Sequence, residues 1–173
     1  MTAVSPLPTR LLLITLRTMD AIPVFRNPAC AKQAVESLYR IQCFNPFFLF
    51  AFVILPAEAH ILLRCPEGSF TRRIVQAYYR SVHFELGWTV WEQNFAWREV
   101  EDEQDALHFI HVSPVRKGLC GFPREYPWSS ASGRWDISVL PIRAFPEPPA
   151  PVRATTLSSA RAPACPTQVA ALP

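Results

Sequence analysis

The sequence predicts an α+β fold: an antiparallel sheet laid down in the order β-α-β-β-α-β with helices on one face, then a C-terminal helix and a disordered tail. Three observations lead there. Short apolar runs bounded by charge or proline, RLLLITLR (10–17), FFLFAFVIL (47–55) and HILLRC (60–65), read as strands. Two longer segments, 27–42 and 70–86, carry apolar residues at helical spacing. After Trp135 the composition turns to Pro and Ala. A sheet of this order with helices packed against it is the ferredoxin-like plan.

The first strand, 10–17, is short and closed by Arg17. The first helix has Asn27 as N-cap, Pro28 at the first helical position, and Val35, Leu38 and Tyr39 on one stripe. Asn45-Pro46 breaks the chain before a strand apolar on both faces, Phe47 to Leu55. Pro56-Ala57 turns it, and His60 to Cys65 runs back alongside. Pro66-Glu67-Gly68 ends that hairpin, and Ser69 caps a second helix whose stripe is Ile74, Tyr78, Val82 and Leu86, with Gly87 as its stop. Residues 88–100 read as a short strand or extended passage. A third helix starts near Asp102, and Pro114 marks its end or opens a turn closed by Gly118. These boundaries give a folded domain over 1–134 and a Pro/Ala-rich tail, 135–173, too poor in apolar surface to order itself.

At 173 residues and 50% hydrophobic content the chain can bury one sizeable core. A net charge of +3 selects no partner, but the basic residues are lopsided, fifteen Arg against Lys32 and Lys117. Arginine suits phosphate because its planar fork donates two hydrogen bonds, and a GC-rich genome produces the same bias. The five cysteines are scattered without CxxC spacing, which with no secretory segment points to reduced thiols in a cytoplasm. The most apolar run is nine residues, about half of a membrane helix.

Within VILPAEAHILLRC (53–65), strand alternation sends Glu58, His60, Leu62 and Arg64 to one face and Ala59, Ile61, Leu63 and Cys65 to the other. The second set reads as core. The first places a carboxylate beside an imidazole, within reach of one cation or one phosphate. On the third helix Leu107 and Ile110 read as the core face with His111, leaving Asp105, Phe109 and Ser113 on the other. His60, His83, His108 and His111 match no zinc-ligand spacing. The acidic run Glu99, Glu101, Asp102, Glu103 and Asp105 sits where a helix begins and complements its dipole. Arg64, Arg72, Arg73 and Arg80, with Tyr79, read either as a basic, aromatic-edged surface for single-stranded DNA or as ordinary solvated positions.

Three stretches, AFVILPAEAHILLRCPEG (51–68), GSFTRRIVQAYYR (68–80) and WEQNFAWREVEDEQDALHFIHVSPVRKGLCGFPREYPWSS (91–130), together resemble the REP-associated tyrosine transposases, single-tyrosine HUH-type bacterial enzymes. The resemblance spans roughly residues 9–134. Family members carry a (M/L)-P-(D/N/E)-H-x-H-(L/I)-L turn, a closing Y-I-H/Y-x-N-P-V-(R/K)-x-G block, and a Y-P-W-S-S-like segment. It implies the same β-α-β-β-α-β-α order, action on single-stranded or hairpin DNA, and an Mg²⁺ or Mn²⁺ ion that polarises the scissile phosphate while a helix-borne tyrosine attacks it. Family members also often assemble, so a homodimer is a further expectation of the resemblance.

Position by position, the second histidine of the turn is His60 and the first falls on Glu58. The nucleophilic tyrosine falls on Phe109, and the following asparagine on Ser113. The resemblance thus assigns Glu58, His60 and, weakly, Ser113 to the metal, and Arg64, Arg72, Arg73 and Arg80 to DNA. Glu58 keeps a hard oxygen donor, whereas a phenyl ring has no oxygen to form a phosphotyrosine. The expectation is a transposase-like DNA-binding protein impaired in tyrosine-dependent cleavage. Two alternatives stand beside it: a metal-dependent nuclease using water, and a decayed reading frame without selected activity.

Overall fold

A computed structural model describes residues 9–66 and 70–137. Its sheet has four antiparallel strands in the order β2-β3-β1-β4: β1 (Thr9–Arg17), β2 (Phe48–Leu55), β3 (Glu58–Pro66) and β4 (Ala96–Glu99). Three helices accompany it, α1 (Pro28–Gln42), α2 (Phe70–Leu86) and α3 (Glu103–Arg116). This is the α+β ferredoxin-like arrangement the sequence predicts. The cap predicted at Ser69 and the tail from residue 138 onward lie outside the described residues.

Strand alternation divides the core in two. Leu12, Ile14 and Leu16 of β1, Phe52 and Ile54 of β2, and Ala59, Ile61 and Leu63 of β3 face α1 and α2. There they meet Val35, Leu38 and Ile41 of α1 and Ile74, Val75, Tyr78 and Val82 of α2. Leu11, Leu13, Ala51, Val53, Leu55 and Leu62 face the other way, against Ala106 and Ile110 of α3 and against Tyr126. The first two helices therefore share one face and the C-terminal helix covers the opposite one. Each fully buried aliphatic side chain here contributes roughly 1.5–3 kcal/mol of transfer free energy, and both layers contain such side chains.

Local signals explain most boundaries. Asn27 Oδ1 accepts the Ala29 N–H at 2.9 Å, with Pro28 at the first helical position. Gly87 leaves α2 with φ +77°, a conformation open to glycine at no steric cost. Asp102 Oδ1 accepts the N–H groups of Gln104 (2.8 Å) and Asp105 (3.3 Å), which accounts for one residue of the acidic run. Glu99 and Glu103 of that run pair with Arg10 and Arg64.

Two expectations for α3 need correction. Pro114 does not end the helix, since α3 continues to Arg116; it begins the last turn, which Gly118 closes as the other alternative expects. Only the Ile110 carbonyl loses its N–H partner, and one turn of helix beyond is closed by Leu119 N–H to Pro114 O and Gly118 N–H to Val115 O, both 2.9 Å. That pair is a Schellman closure with Gly118 left-handed at φ +67°. Second, the buried stripe is Ala106, Ile110, Ser113 and Pro114, while Leu107 is only partly covered. Ala106, one residue before Leu107, takes the buried position in its place.

The segment after α3 covers the outer edge of β2. Trp128 O accepts the Ile54 N–H (2.9 Å), Ser130 Oγ accepts the Phe52 N–H and donates to Phe52 O (both 3.2 Å), and Tyr126 donates to Ile54 O (2.8 Å). An open strand edge invites pairing with another chain, and this segment occupies it. Trp135 continues the packing, stacked on Tyr39 and donating from Nε1 to Pro127 O at 2.7 Å. Among the described residues no helix is long and apolar enough to cross a membrane.

Candidate functional site

The site lies on the α3 face of the sheet, where β3 leaves its turn. Antiparallel pairing sets Thr15 opposite His60 and Arg17 opposite Glu58. Glu58 and His60, two residues apart, emerge on the same side, as strand alternation predicts. His60 is 6% exposed and held at both ring nitrogens: Thr15 Oγ1 lies 3.1 Å from Nδ1, and Glu58 Oε1 lies 3.3 Å from Nε2. A proton on Nε2, with the Thr15 hydroxyl donating to Nδ1, satisfies both partners.

The third partner comes from the far end of α3. Lys117, the C-cap, extends its ammonium to 2.7 Å from Glu58 Oε1. The His60 hydrogen bond holds the Glu58 carboxyl down to about 2, against the opposing effect of burial and with further help from Lys117. Glu58 is thus a fixed anion between an imidazole and an ammonium. Lys117 has no part in the sequence-based expectations. Nothing local in the sequence signals it, because the contact joins the end of α3 to the distant β2–β3 turn.

Phe109 of α3 completes the wall, its ring edge-on to His60 with centroids 5.1 Å apart and planes at 67°. Ser113 is buried, and its hydroxyl donates back to Phe109 O at 2.6 Å. This bond within α3 commits the Ser113 proton to the helix backbone. Of the other histidines, His111 points to Ser130 (Nε2 to Oγ, 3.1 Å), His83 to Thr89 (3.4 Å), and His108 is exposed. Burial and the neighbouring His108 lower the His111 pKa.

Glu58 and His60 are two donors, and among the described residues no three His, Cys, Asp or Glu side chains gather around a common point. Mg²⁺ and Mn²⁺ take about six ligands and favour carboxylate oxygen. Here one carboxylate oxygen already meets an ammonium, and Ser113 Oγ is turned to a carbonyl. As it stands, the set does not fit a divalent ion.

None of the four tyrosines is presented as a nucleophile. Tyr78 is fully buried and donates to Ala34 O at 3.1 Å, with its pKa raised by burial. Tyr126 donates to Ile54 O, and burial pushes its pKa up to about 12. Tyr39 and Tyr79 have buried hydroxyls, and burial raises each to about 12, with a smaller push from Asp136 and Glu92 respectively. Tyr79 stacks on Trp91 (6.1 Å, 15°), so it faces inward instead of edging a basic surface.

The predicted basic surface is also divided. Arg72, Arg73 and Arg80 are exposed on α2. Arg64 stands across the sheet, its guanidinium 4.9 Å from the Phe50 ring centroid and paired with Glu103 at the start of α3. The four do not form one patch.

No protein-family model and no curated protein matches the chain. Among solved structures, the chain is similar to a REP-associated tyrosine transposase bound to a REP hairpin, with TM-score 0.64 and 16% identity over 83% of this chain and 95% of that one. It is also similar to a Deinococcus radiodurans R1 protein assigned as a transposase, at TM-score 0.49 and 14% identity over 69% of this chain and 97% of that one. At these identities the likeness is one of fold.

Proposed function

We propose that this protein binds hairpin or single-stranded DNA on a transposase-type scaffold and does not cleave it through a phosphotyrosine. The observation that carries the reading is Phe109 packed against His60, in a chain whose four tyrosine hydroxyls are all turned into the protein. Covalent strand transfer of the kind the resemblance implies needs an accessible phenol beside the histidine. A phenyl ring there keeps the packing and removes the chemistry.

DNA binding rests on two supports. The similar structure of the REP-associated transposase is described with a REP hairpin bound, and its fold is shared over 83% of this chain. Arg72, Arg73 and Arg80 on α2 are exposed, and the guanidinium fork suits phosphate.

A mobility shift with a single-stranded hairpin tests binding, and denaturing electrophoresis of the same mixture with Mn²⁺ tests covalency. The expected result is a salt-sensitive shift without a covalent band. An absent shift at low salt, or a band that survives denaturation, would each overturn one half of the reading.

A further inference from the structure

Glu58 Oε1 and His60 Nε2 are 3.3 Å apart. Two ligands at right angles on one Mg²⁺ or Mn²⁺, with bonds of about 2.1 Å, stand roughly 3 Å from each other. The pair therefore has the bite of a metal chelate. What stands at the carboxylate is the Lys117 ammonium, 2.7 Å from the oxygen such an ion would use.

We propose that Lys117 is the resident cation of this site, occupying the Glu58 carboxylate in place of a divalent metal and closing the Glu58/His60 pair to it. The ammonium neutralises the carboxylate with one charge instead of two and needs no ligand cage, which suits a site short of donors. It is held by its helix. The Gly118 closure ends α3 at Lys117, and the side chain reaches back from that cap to the β2–β3 turn. Three features make it a fixed partner: a distance typical of a charge-assisted bond, a carboxylate only 19% exposed, and a second contact from His60 to the same oxygen.

Removing the ammonium should reopen the chelate. With Lys117 gone, His60 can shift its proton from Nε2 to Nδ1, where Thr15 Oγ1 accepts it at the present 3.1 Å, and present the Nε2 lone pair beside Glu58. Lys117→Met keeps most of the stem and removes the charge. Lys117→Arg keeps the charge and serves as the conservative control.

The test uses the full chain and Mn²⁺ alone, so it does not depend on the DNA reading: failure there leaves DNA binding untouched, and the reverse. Thermal melts across a millimolar Mn²⁺ series should show no concentration-dependent shift for the wild type or for Lys117→Arg. Lys117→Met should show a rise of a few degrees, because an ion that binds only the folded state stabilises it. Adding Glu58→Gln to Lys117→Met should abolish that rise. Circular dichroism checks that each variant is folded, and manganese electron paramagnetic resonance reads bound ion directly. A Mn²⁺-dependent rise in the wild type, no gain in folded Lys117→Met, or a gain that survives Glu58→Gln would each overturn the proposal.

Discussion

The Phe109 ring stands edge-on to the His60 imidazole, centroids 5.1 Å apart, where the family resemblance puts a tyrosine. The carbon framework of a tyrosine is already in place at this position; only the oxygen is missing. Wild-type protein should therefore give no covalent DNA adduct. Phe109→Tyr alone should also give none, because Glu58 remains tied to Lys117 and the phosphate has nothing to hold it in line. Adding Glu58→His and Ser113→Asn restores the expected donors and, by removing the carboxylate, releases Lys117. Adducts are expected only from this triple variant, read by denaturing electrophoresis. An adduct from the wild type mapped to Tyr39, Tyr78, Tyr79 or Tyr126 would show the nucleophile to be elsewhere.

Glu58 makes stability pH-dependent in a defined direction. Its folded pKa of about 2 lies below the ordinary glutamate value of roughly 4.3. The folded state favours the charged form, so the contribution is fully present above about pH 5 and is lost as pH falls towards 2. Discounted for the half-exposed Lys117, it amounts to on the order of 1–2 kcal/mol. Denaturant titrations of wild type and Glu58→Gln at neutral pH and at pH 3 should show the gap between them shrinking at the lower pH. A gap that stays constant would mean that Glu58 does not titrate in this range.

Period-two alternation was enough to put Glu58, His60 and Arg64 on one side of β3, and Asn27-Pro28 was enough to start α1, because both are local consequences of backbone geometry. The α3 face was legible only in part. Its pattern of Leu107 and Ile110 conceals that the small Ala106 is the buried position beside Ile110, and a proline in the last turn costs just one carbonyl partner. Lys117 was not legible at all, since its meeting with Glu58 depends on where a helix end lands relative to a distant turn. The same reason separates Arg64 from the α2 arginines: close along the chain, they are divided by the thickness of a sheet.

That division yields a prediction for DNA. If α2 binds phosphate, Arg72→Ala with Arg73→Ala should weaken hairpin binding and lower the slope of log affinity against log salt by about 1.4, roughly 0.7 for each single-strand phosphate no longer neutralised. Arg64→Ala removes a residue engaged with Glu103 and Phe50 on the other face, and should leave that slope unchanged. An equal fall in slope for both variants would mean that the DNA wraps both faces or that the arginines act only through net charge.

The covered edge of β2 separates two kinds of hydrogen bond in adjacent positions. The Ile54 N–H goes to a backbone carbonyl, Trp128 O, whereas the Phe52 N–H goes to a side chain, Ser130 Oγ, which also donates to Phe52 O and meets His111. Ser130→Ala should therefore raise amide hydrogen exchange at Phe52 while leaving Ile54 protected, and cost about 1 kcal/mol. Tyr126→Phe removes the bond to Ile54 O and leaves the N–H side intact. It should cost about 1–2 kcal/mol because the carbonyl is buried, without the local exchange change at Phe52. If Ser130→Ala instead releases both amides together, the segment from Tyr126 to Ser130 detaches as one unit. The edge of β2 would then be open for pairing with a second chain, which sedimentation at rising concentration would reveal as self-association absent from the wild type.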